Sequence, residues 1–585
     1  MELTALDGVV LVASFVASAA VGLFFARRAS RSVAEYFTAG RSLPWWLSGT
    51  SMVATTFAAD TPLAVTALVA QHGIAGNWVW WNMVAGGMFT VFFYARLWQR
   101  AGVKTDAELT ELRYAGRSAA VLRGFRALYL ALPINLIIIG WVNLAMVKVL
   151  EVTLGMDPFV AMLGLFAVTV VYASTSGLWG VVVTDFFQFI LAMTGCIVLA
   201  VYAVDAVGGL DALVAKTPAL ALEFFPTDTT WMPVTALLSY LAVQWWASWY
   251  PGAEPGGGGY VAQRIFASRT ERDGQLATLW FTVAHYAVRP WPWILTALAA
   301  ALLYPGLADP GVGFVKAIGL LPSGLKGLLL SAFAAAYMST LSTQLNWGAS
   351  YLVNDVAARF VAVKEEKLVR LSRLITVGLF LLSGASTYAL YRVGSVDGAW
   401  RVLIALGAGT GPVYLLRWYW WRVNAWSEIS AMGFSLVSFL VLTVLGVFDP
   451  STSLGGAELM LVNTGVTTVG WLAVTFLTKP EPDAHLRAFY ERTRPGGVGW
   501  RAFATRTGLP VEAAATGASS WVGWVAGIVA VYAALFGMGQ VLLGPRLQGL
   551  GLLGLAAAAF VVVVKVTPAN AAPEVVTSPT SPRSP

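Results

Sequence analysis

The chain has 585 residues, 58% of them hydrophobic and only 11% charged. With a mean hydropathy of +0.70, that excludes a soluble globular domain, where about a quarter of residues are charged. A formal net charge of +7 invites a nucleic-acid partner, but the basic residues stand in short loops and no basic patch with interleaved aromatics occurs, so none is expected.

Ahead of the first apolar run stand the acids Glu2 and Asp7, and after it the bases Arg27, Arg28 and Arg31. This is the reverse of a secretory signal and predicts an uncleaved first span entering from outside. Runs long enough to cross a core of ~30 Å are expected at 4–26, 47–70, 77–98, 125–150, 158–176, 178–204, 232–252, 276–304, 326–353, 368–391, 396–420, 425–447, 457–477, 519–544 and 547–566, fifteen in all. If the N-terminus is outside, the inner loops 27–46, 99–120, 253–275, 354–373 and 478–518 carry three to six Lys or Arg each. The outer connections 71–76, 151–157, 205–231, 305–325, 392–395 and 448–456 carry none or one. The asymmetry predicts N-terminus out and C-terminus cytoplasmic, in the plasma (inner) membrane. Tryptophans 45, 46, 78, 80, 81, 418, 420 and 421 stand near span ends, as interfacial anchors do. The lone Cys196 lies in an apolar run, so no intrachain disulfide or thiolate cluster forms, and three scattered histidines (His72, His285, His485) suggest no metal centre.

Two spans are interrupted. The stretch Gly40 to Val65 places Thr55, Thr56, Asp60, Thr61 and Pro62 at mid-span, where a carboxylate and a proline are costly unless the helix breaks around a protein-lined cavity. Unwinding over Ala54 to Asp60 frees carbonyl oxygens, the hard ligands an alkali cation requires. The plain alternative is a kinked helix whose threonines bond their own i−4 carbonyls. A second interruption, from Trp245 to Tyr260, is rich in glycine and contains Glu254. Interrupted helices in corresponding places of two halves point to a secondary transporter built on inverted repeats.

The ninth span combines an alanine-rich face with Ser339, Thr340, Ser342 and Thr343. Its small residues permit close helix approach, and the hydroxyls at 339, 340 and 343 lie near one face. They serve either packing, bonded back to their own helix, or an oxygen cage completed by carbonyls of another helix. Arg289, beside Pro290, is either an ion-pair partner of Asp60, Asp185 or Glu254, or a bidentate receptor for a substrate carboxylate. Asn135, Asn143 and Gln244 either complete a polar pocket or hydrogen-bond between helices.

Several motifs arrive together: GRSLPWWLSGTSMVATTFAAD (40–60), preceded by AEYFTAGRS (34–42), then TSGLWGVVVTDFFQF (175–189), GYVAQRIFAS (259–268) and AAAYMSTLSTQLN (334–346). In this order they resemble the sodium:solute symporter family over about residues 30 to 420, and HLRAFYERTRPGGVGW (485–500) is similar to a segment of some bacterial members. The resemblance implies an all-α polytopic membrane protein with a LeuT-type core of two inverted five-helix repeats, one preceding helix and about four following ones. The expected divisions, from the apolar runs and the composition together with this resemblance, are 1–46 (first helix and cytoplasmic connection), 47–420 (ten-helix core, repeats at about 47–204 and 232–420), 421–477 (two further helices), 478–518 (cytoplasmic segment), 519–566 (two C-terminal helices) and 567–585 (disordered tail).

The resemblance also implies Na+ as coupling ion, held by the carbonyls of Ala54, Phe57 and Ala336 and the hydroxyls of Ser339 and Thr340. Asp185, in the motif Thr184-Asp185-x-x-Gln188, resembles an acid of the cytoplasmic sodium path, and Tyr260 a gating aromatic. Thr56, Asp60, Thr61, Tyr260 and Arg289 are the substrate-binding candidates. Two departures follow from the motifs. Proline-type members carry aspartate where Thr56 stands; sugar-type members carry Glu-Gln at Asp60-Thr61 and an amide pair at Gly258 and Gly259. Neither specificity is matched. The expectation is a sodium-coupled symporter importing a small organic solute by alternating access, with the lipid bilayer as surroundings and no obligate protein partner. A non-transporting sensor or channel-like protein of the same fold is the alternative. An enzyme is not expected, since no paired nucleophile and base or metal cluster occurs.

Overall fold

The computed structural model describes residues 3–29, 31–228, 230–246, 258–361, 364–393, 396–449, 452–511 and 517–567. Regular structure among them is helical, and the one extended pairing is a two-residue bridge between Leu43 and Ser268. The tail beyond Thr567 and most of the second interruption, 247–257 with Glu254, lie outside the described residues.

Helix α1 (Ala5–Ala29) precedes a bent pair, α2 (Trp45–Thr55) and α3 (Asp60–His72), whose axes differ by 59°. Pro62 sits in the first turn of α3, where its missing N–H would have no intrahelical partner anyway. Short helices then run from Trp78 to Ala101 through a π-helical turn at Thr90–Tyr94. Next come α4 (Gly116–Leu154) and α5 (Pro158–Ala206). The two spans expected at 158–176 and 178–204 are joined by Gly177 alone, at φ 58°, a conformation that glycine adopts without steric cost.

The second half begins with α6 (Val234–Ala242) and resumes after the interruption with α7 (Tyr260–Ala267). Helices α8 (Glu271–Val283) and α9 (Pro290–Leu303) are joined by a π-helical turn at Ala284–Val288, at the place in their half that Thr90–Tyr94 takes in the first. After α10 (Leu325–Tyr351) come α11 (Glu365–Val393) and α12 (Val396–Tyr419). Outside the two halves are α13 (Ala425–Val444), α14 (Ser453–Leu477), the short pair α15 (Asp483–Thr493) and α16 (Val498–Thr507), and finally α17 (Ala518–Leu543) and α18 (Arg546–Val566).

Fourteen of the fifteen expected runs fall on these helices or on series of short ones; the run at 232–252 begins on α6 and continues into residues outside the described ones. Eight described helices are individually long and apolar enough to cross a membrane, nine with the bent pair α2–α3. Several of the others are divided by breaks and π-helical turns.

The centre of the molecule is α10, whose apolar stretch is 94% buried, against 17% for α18 at the rim. Alanines 332, 334, 335 and 336 of α10 are buried, and such small side chains let neighbouring backbones come close where lipid gives no hydrophobic drive for helix association. Asp7 of α1 accepts hydrogen bonds from the amides of Gly324 and Gly327, both at 2.8 Å, and so caps the start of α10.

The tryptophans depart from the interfacial expectation. Trp45 and Trp46 are exposed, but Trp78, Trp80, Trp81 and Trp418 are buried. Buried indoles need an acceptor for Nε1, and Trp78 donates to Phe224 O (2.7 Å) and Trp80 to Asn77 Oδ1 (3.0 Å). The segment 478–518 supplies the two short helices α15 and α16. Trp500 anchors them by donating to Trp418 O at 2.7 Å.

Candidate functional site

Helix α2 ends at Thr55 because residues 56–59 leave helical hydrogen bonding before α3 begins. Its last carbonyls are met from several directions. Ala54 O accepts from Phe57 N at 2.9 Å. Thr55 O accepts from Thr340 Oγ1 of α10 at 2.8 Å, and the same hydroxyl reaches back to Ala336 O at 3.1 Å. Thus Thr340 ties the broken end of α2 to the turn of α10 that carries Ala336. The expected ligand residues Ala54, Phe57, Ala336, Ser339 and Thr340 are all buried. They stand on two elements held one hydrogen bond apart. These residues carry three backbone carbonyls and two hydroxyls, uncharged oxygens of the kind a hard monovalent cation accepts.

Ser339 turns the other way and donates to Asp185 Oδ1 of α5 at 2.6 Å. Asp185 Oδ2 accepts from Ser51 and lies 3.8 Å from the guanidinium of Arg264 on α7. That guanidinium also donates to Ser51 Oγ (3.1 Å), Gln263 Oε1 (2.8 Å) and Thr343 Oγ1 (2.7 Å). Thr343 closes the circuit by lying 3.2 Å from Thr55 Oγ1. The network is buried throughout. It links α2, α5, α7 and α10 on the side of the break from which α2 arrives. A buried ion pair is tolerable only when the remaining lone pairs and protons find partners, and here the hydroxyls of Ser51, Ser339 and Thr343 provide them. Sequence reading singled out Asp185 and noted Thr343, but gave Arg264 and Ser51 no role.

Arg289 follows the π-helical turn between α8 and α9. Its guanidinium donates to Thr56 Oγ1 (2.9 Å), Val53 O (3.4 Å) and His285 O (3.3 Å), and it contacts His285 Nε2 at 3.1 Å. The other imidazole nitrogen, Nδ1, lies 3.0 Å from Thr56 Oγ1. Neither Asp60 nor Asp185 lies within salt-bridge range of Arg289; the near partner of Asp185 is Arg264. Of the carboxylates considered as its partner, Glu254 falls outside the described residues. Arg289 and His285 therefore grip the carbonyl end of α2, where positive charge complements the helix dipole. His285, one buried histidine in an apolar run, gave no signal of its own in the sequence.

Above the break a cavity of about 110 Å³ opens. Thr56, Asp60, Thr61, Tyr260 and Arg289, the five substrate candidates, all line it, together with His285, Thr340, Gln344, Trp80 and Trp141. Asn135, Asn143 and Gln244 do not line it. They hydrogen-bond between elements instead, to Gln344 O (2.9 Å), Thr387 Oγ1 (2.8 Å) and Val79 O (3.2 Å).

The model of the sodium:solute symporter family matches residues 36–433. The sodium/glucose cotransporter 1 of Oryctolagus cuniculus is 22% identical over 547 residues, 82% of this chain and 80% of that protein. A sodium/glucose cotransporter of Vibrio parahaemolyticus is 25% identical over 445 residues, 69% of this chain and 79% of that one. Among solved structures, a Na+-coupled sialic acid symporter in a substrate-bound outward-open state superposes with a TM-score of 0.69 at 20% identity, over 82% of this chain and 99% of that one. A nucleobase-cation-symport-1 family transporter in a closed conformation gives a TM-score of 0.50 at 12% identity, over 78% of this chain and 97% of that one.

Proposed function

Because the chain belongs to the sodium:solute symporter family, whose members are transporters rather than enzymes, we propose that it imports a small organic solute by alternating access, driven by sodium. The observation that carries this reading is the junction of α2 and α10. There Thr340 bonds Thr55 O at 2.8 Å and Ala336 O at 3.1 Å, tying the residues just before the break, Ala54 among them, to the turns of α10 that carry Ala336, Ser339 and Thr340. Ala54, Phe57, Ala336, Ser339 and Thr340 are the sodium ligands in this reading, and Asp185, bonded to Ser339, belongs to the path by which the ion leaves. The solute occupies the cavity lined by Thr56, Asp60, Thr61, Tyr260 and Arg289.

The cavity extends from the break along α3 to Leu68, whereas the Asp185–Arg264 network fills the opposite side. With the N-terminus outside and the chain in the plasma membrane, the cavity lies on the exterior side of the break and the network on the cytoplasmic side. Sodium then acts by differential affinity: bound at the junction, it favours the arrangement in which the cavity is formed, and so raises the affinity for solute. The core 47–420 performs the transport, and the helices outside it pack around that core.

The test is thermal stability of the purified protein in NaCl against KCl at equal ionic strength. Sodium stabilises the wild type, and Ser339→Ala combined with Thr340→Ala abolishes the sodium-dependent shift while the protein still unfolds cooperatively. A double variant with unchanged sodium dependence sinks the assignment.

A further inference from the structure

The cavity holds one guanidinium and one carboxylate, and they differ in what already occupies them. Arg289 spends its donors on Val53 O, Thr56 Oγ1 and both sides of His285, with its plane 5.1 Å over the Trp293 ring. Asp60 is 6% exposed; its carboxylate takes the backbone N–H groups of Asp60 and Thr61 and a long approach from Thr61 Oγ1 at 3.5 Å, and the charge of Arg289 acts on it from beyond ion-pair distance. Among the described residues no Lys, Arg or His nitrogen stands within salt-bridge range of it. A second acceptor in the same wall, Gln344 Oε1, is buried and receives no hydrogen bond.

The threonine hydroxyls nearby donate to protein: Thr55 to Ser51 O (2.9 Å), Thr56 to Val53 O (2.9 Å) and Thr340 to Thr55 O (2.8 Å). The rest of the wall is aromatic and aliphatic, including Trp80, Trp141, Val65 and Met83. What the site lacks is therefore a positively charged donor within ion-pair distance of Asp60.

We infer that the solute carries a protonated amine on an apolar skeleton, with Asp60 as its counter-ion and Gln344 Oε1 as a second acceptor. The inference deepens the symporter reading and rests on it. An unpaired buried carboxylate is expensive, and an incoming ammonium relieves that cost in a way a neutral solute does not. An alkali ion at Asp60 would trade its hydration shell for one carboxylate and apolar walls, whereas an alkylammonium needs few acceptors and gains the walls, including the aromatic faces. A sugar would need many directional partners, and the nearest threonine hydroxyls already donate to protein. Arg289 is then a positioning residue for the end of α2.

The amine could belong to a simple amine or to an amino acid, and a matched set separates them: isoamylamine, leucine, 4-methylpentanoate and glucose. The full-length protein is titrated with each in NaCl and in KCl, and thermal stability is read. Isoamylamine or leucine should stabilise it in NaCl; 4-methylpentanoate and glucose should not. Asp60→Asn should raise the half-saturating concentration of the amine by at least about tenfold while keeping the shift given by sodium alone, and Asp60→Glu should retain binding. Stabilisation by the carboxylate or the sugar without the amines, no stabilisation by either amine, or unchanged amine affinity in Asp60→Asn overturns the inference. Equal behaviour in NaCl and KCl overturns the symporter reading instead, so the two failures are read on separate axes.

Discussion

Thr340 and Arg289 reach the same short run of carbonyls from two different helices, Thr340 at Thr55 O and Arg289 at Val53 O. Both hold the end of α2 in place, but with different chemistry. Thr340→Ser keeps the hydroxyl and should keep most of the sodium-dependent stabilisation. Arg289→Lys keeps the charge but loses the planar fork, which alone can satisfy Val53, Thr56 and His285 together. It should weaken the sodium-dependent shift as well as solute binding, because it loosens the turn next to Ala54 and Phe57. Normal sodium affinity in Arg289→Lys with impaired solute binding would return the residue to direct recognition of solute. Arg264 is a sharper case. Removing its charge strands Asp185 in a fully buried site, so Arg264→Gln should cost about 3–5 kcal/mol, and adding Asp185→Asn should recover part of that. A Tm unchanged by Arg264→Gln would show that the pair contributes little.

Helices outside the core repeats bear on the site through close packing. On α17, Gly539 faces Trp291 so tightly that a Cβ would come within 2.2 Å of the ring, and Trp291 in turn donates to Leu535 O at 2.9 Å. Gly539→Val should therefore destabilise by about 1–3 kcal/mol through overpacking. Gly551→Val on α18, where nothing lies within 4 Å, should leave Tm unchanged, and equal effects would refute the packing account. Orientation can be read from thiol labelling. The loop after α3 is close-packed at Gly76, where a Cβ would meet Leu68 O at 2.6 Å, so the exposed Gln71 is the better position. Gln71→Cys should react with an impermeant reagent from outside and Arg269→Cys only from inside. Native Cys196 is buried, receiving an indole N–H from Trp293 at 3.4 Å, and does not compete. Reversed labelling would invert the topology.

At the scale of the whole molecule, the first break and the hydroxyl-bearing helix are legible in the sequence because they violate the rules of an apolar span. Asp60 and Pro62 are costly in lipid, and Ser339 with Thr340 interrupts an alanine run. The Asp185 network is not legible, because it joins Ser51 to partners 134 and 213 residues away, and no local pattern reports contacts so distant. Arg289 reads from its sequence as either an ion-pair partner or a receptor for a substrate carboxylate, and the structure turns it to carbonyls, a hydroxyl and an imidazole. A guanidinium satisfies the end of a helix as readily as it satisfies a carboxylate. Thr340 and Asp60 divide the proposed work between ion and solute, and symport requires that the two be coupled. The most direct test is accumulation in proteoliposomes of whichever amine or amino acid stabilises the protein. With sodium high outside, low inside and potassium replacing it, the account predicts uptake above the external concentration, collapsing when sodium is equal on both sides. Equilibration to the external level regardless of the sodium gradient would describe a channel-like protein, and no entry at all a sensor; either result would contradict it.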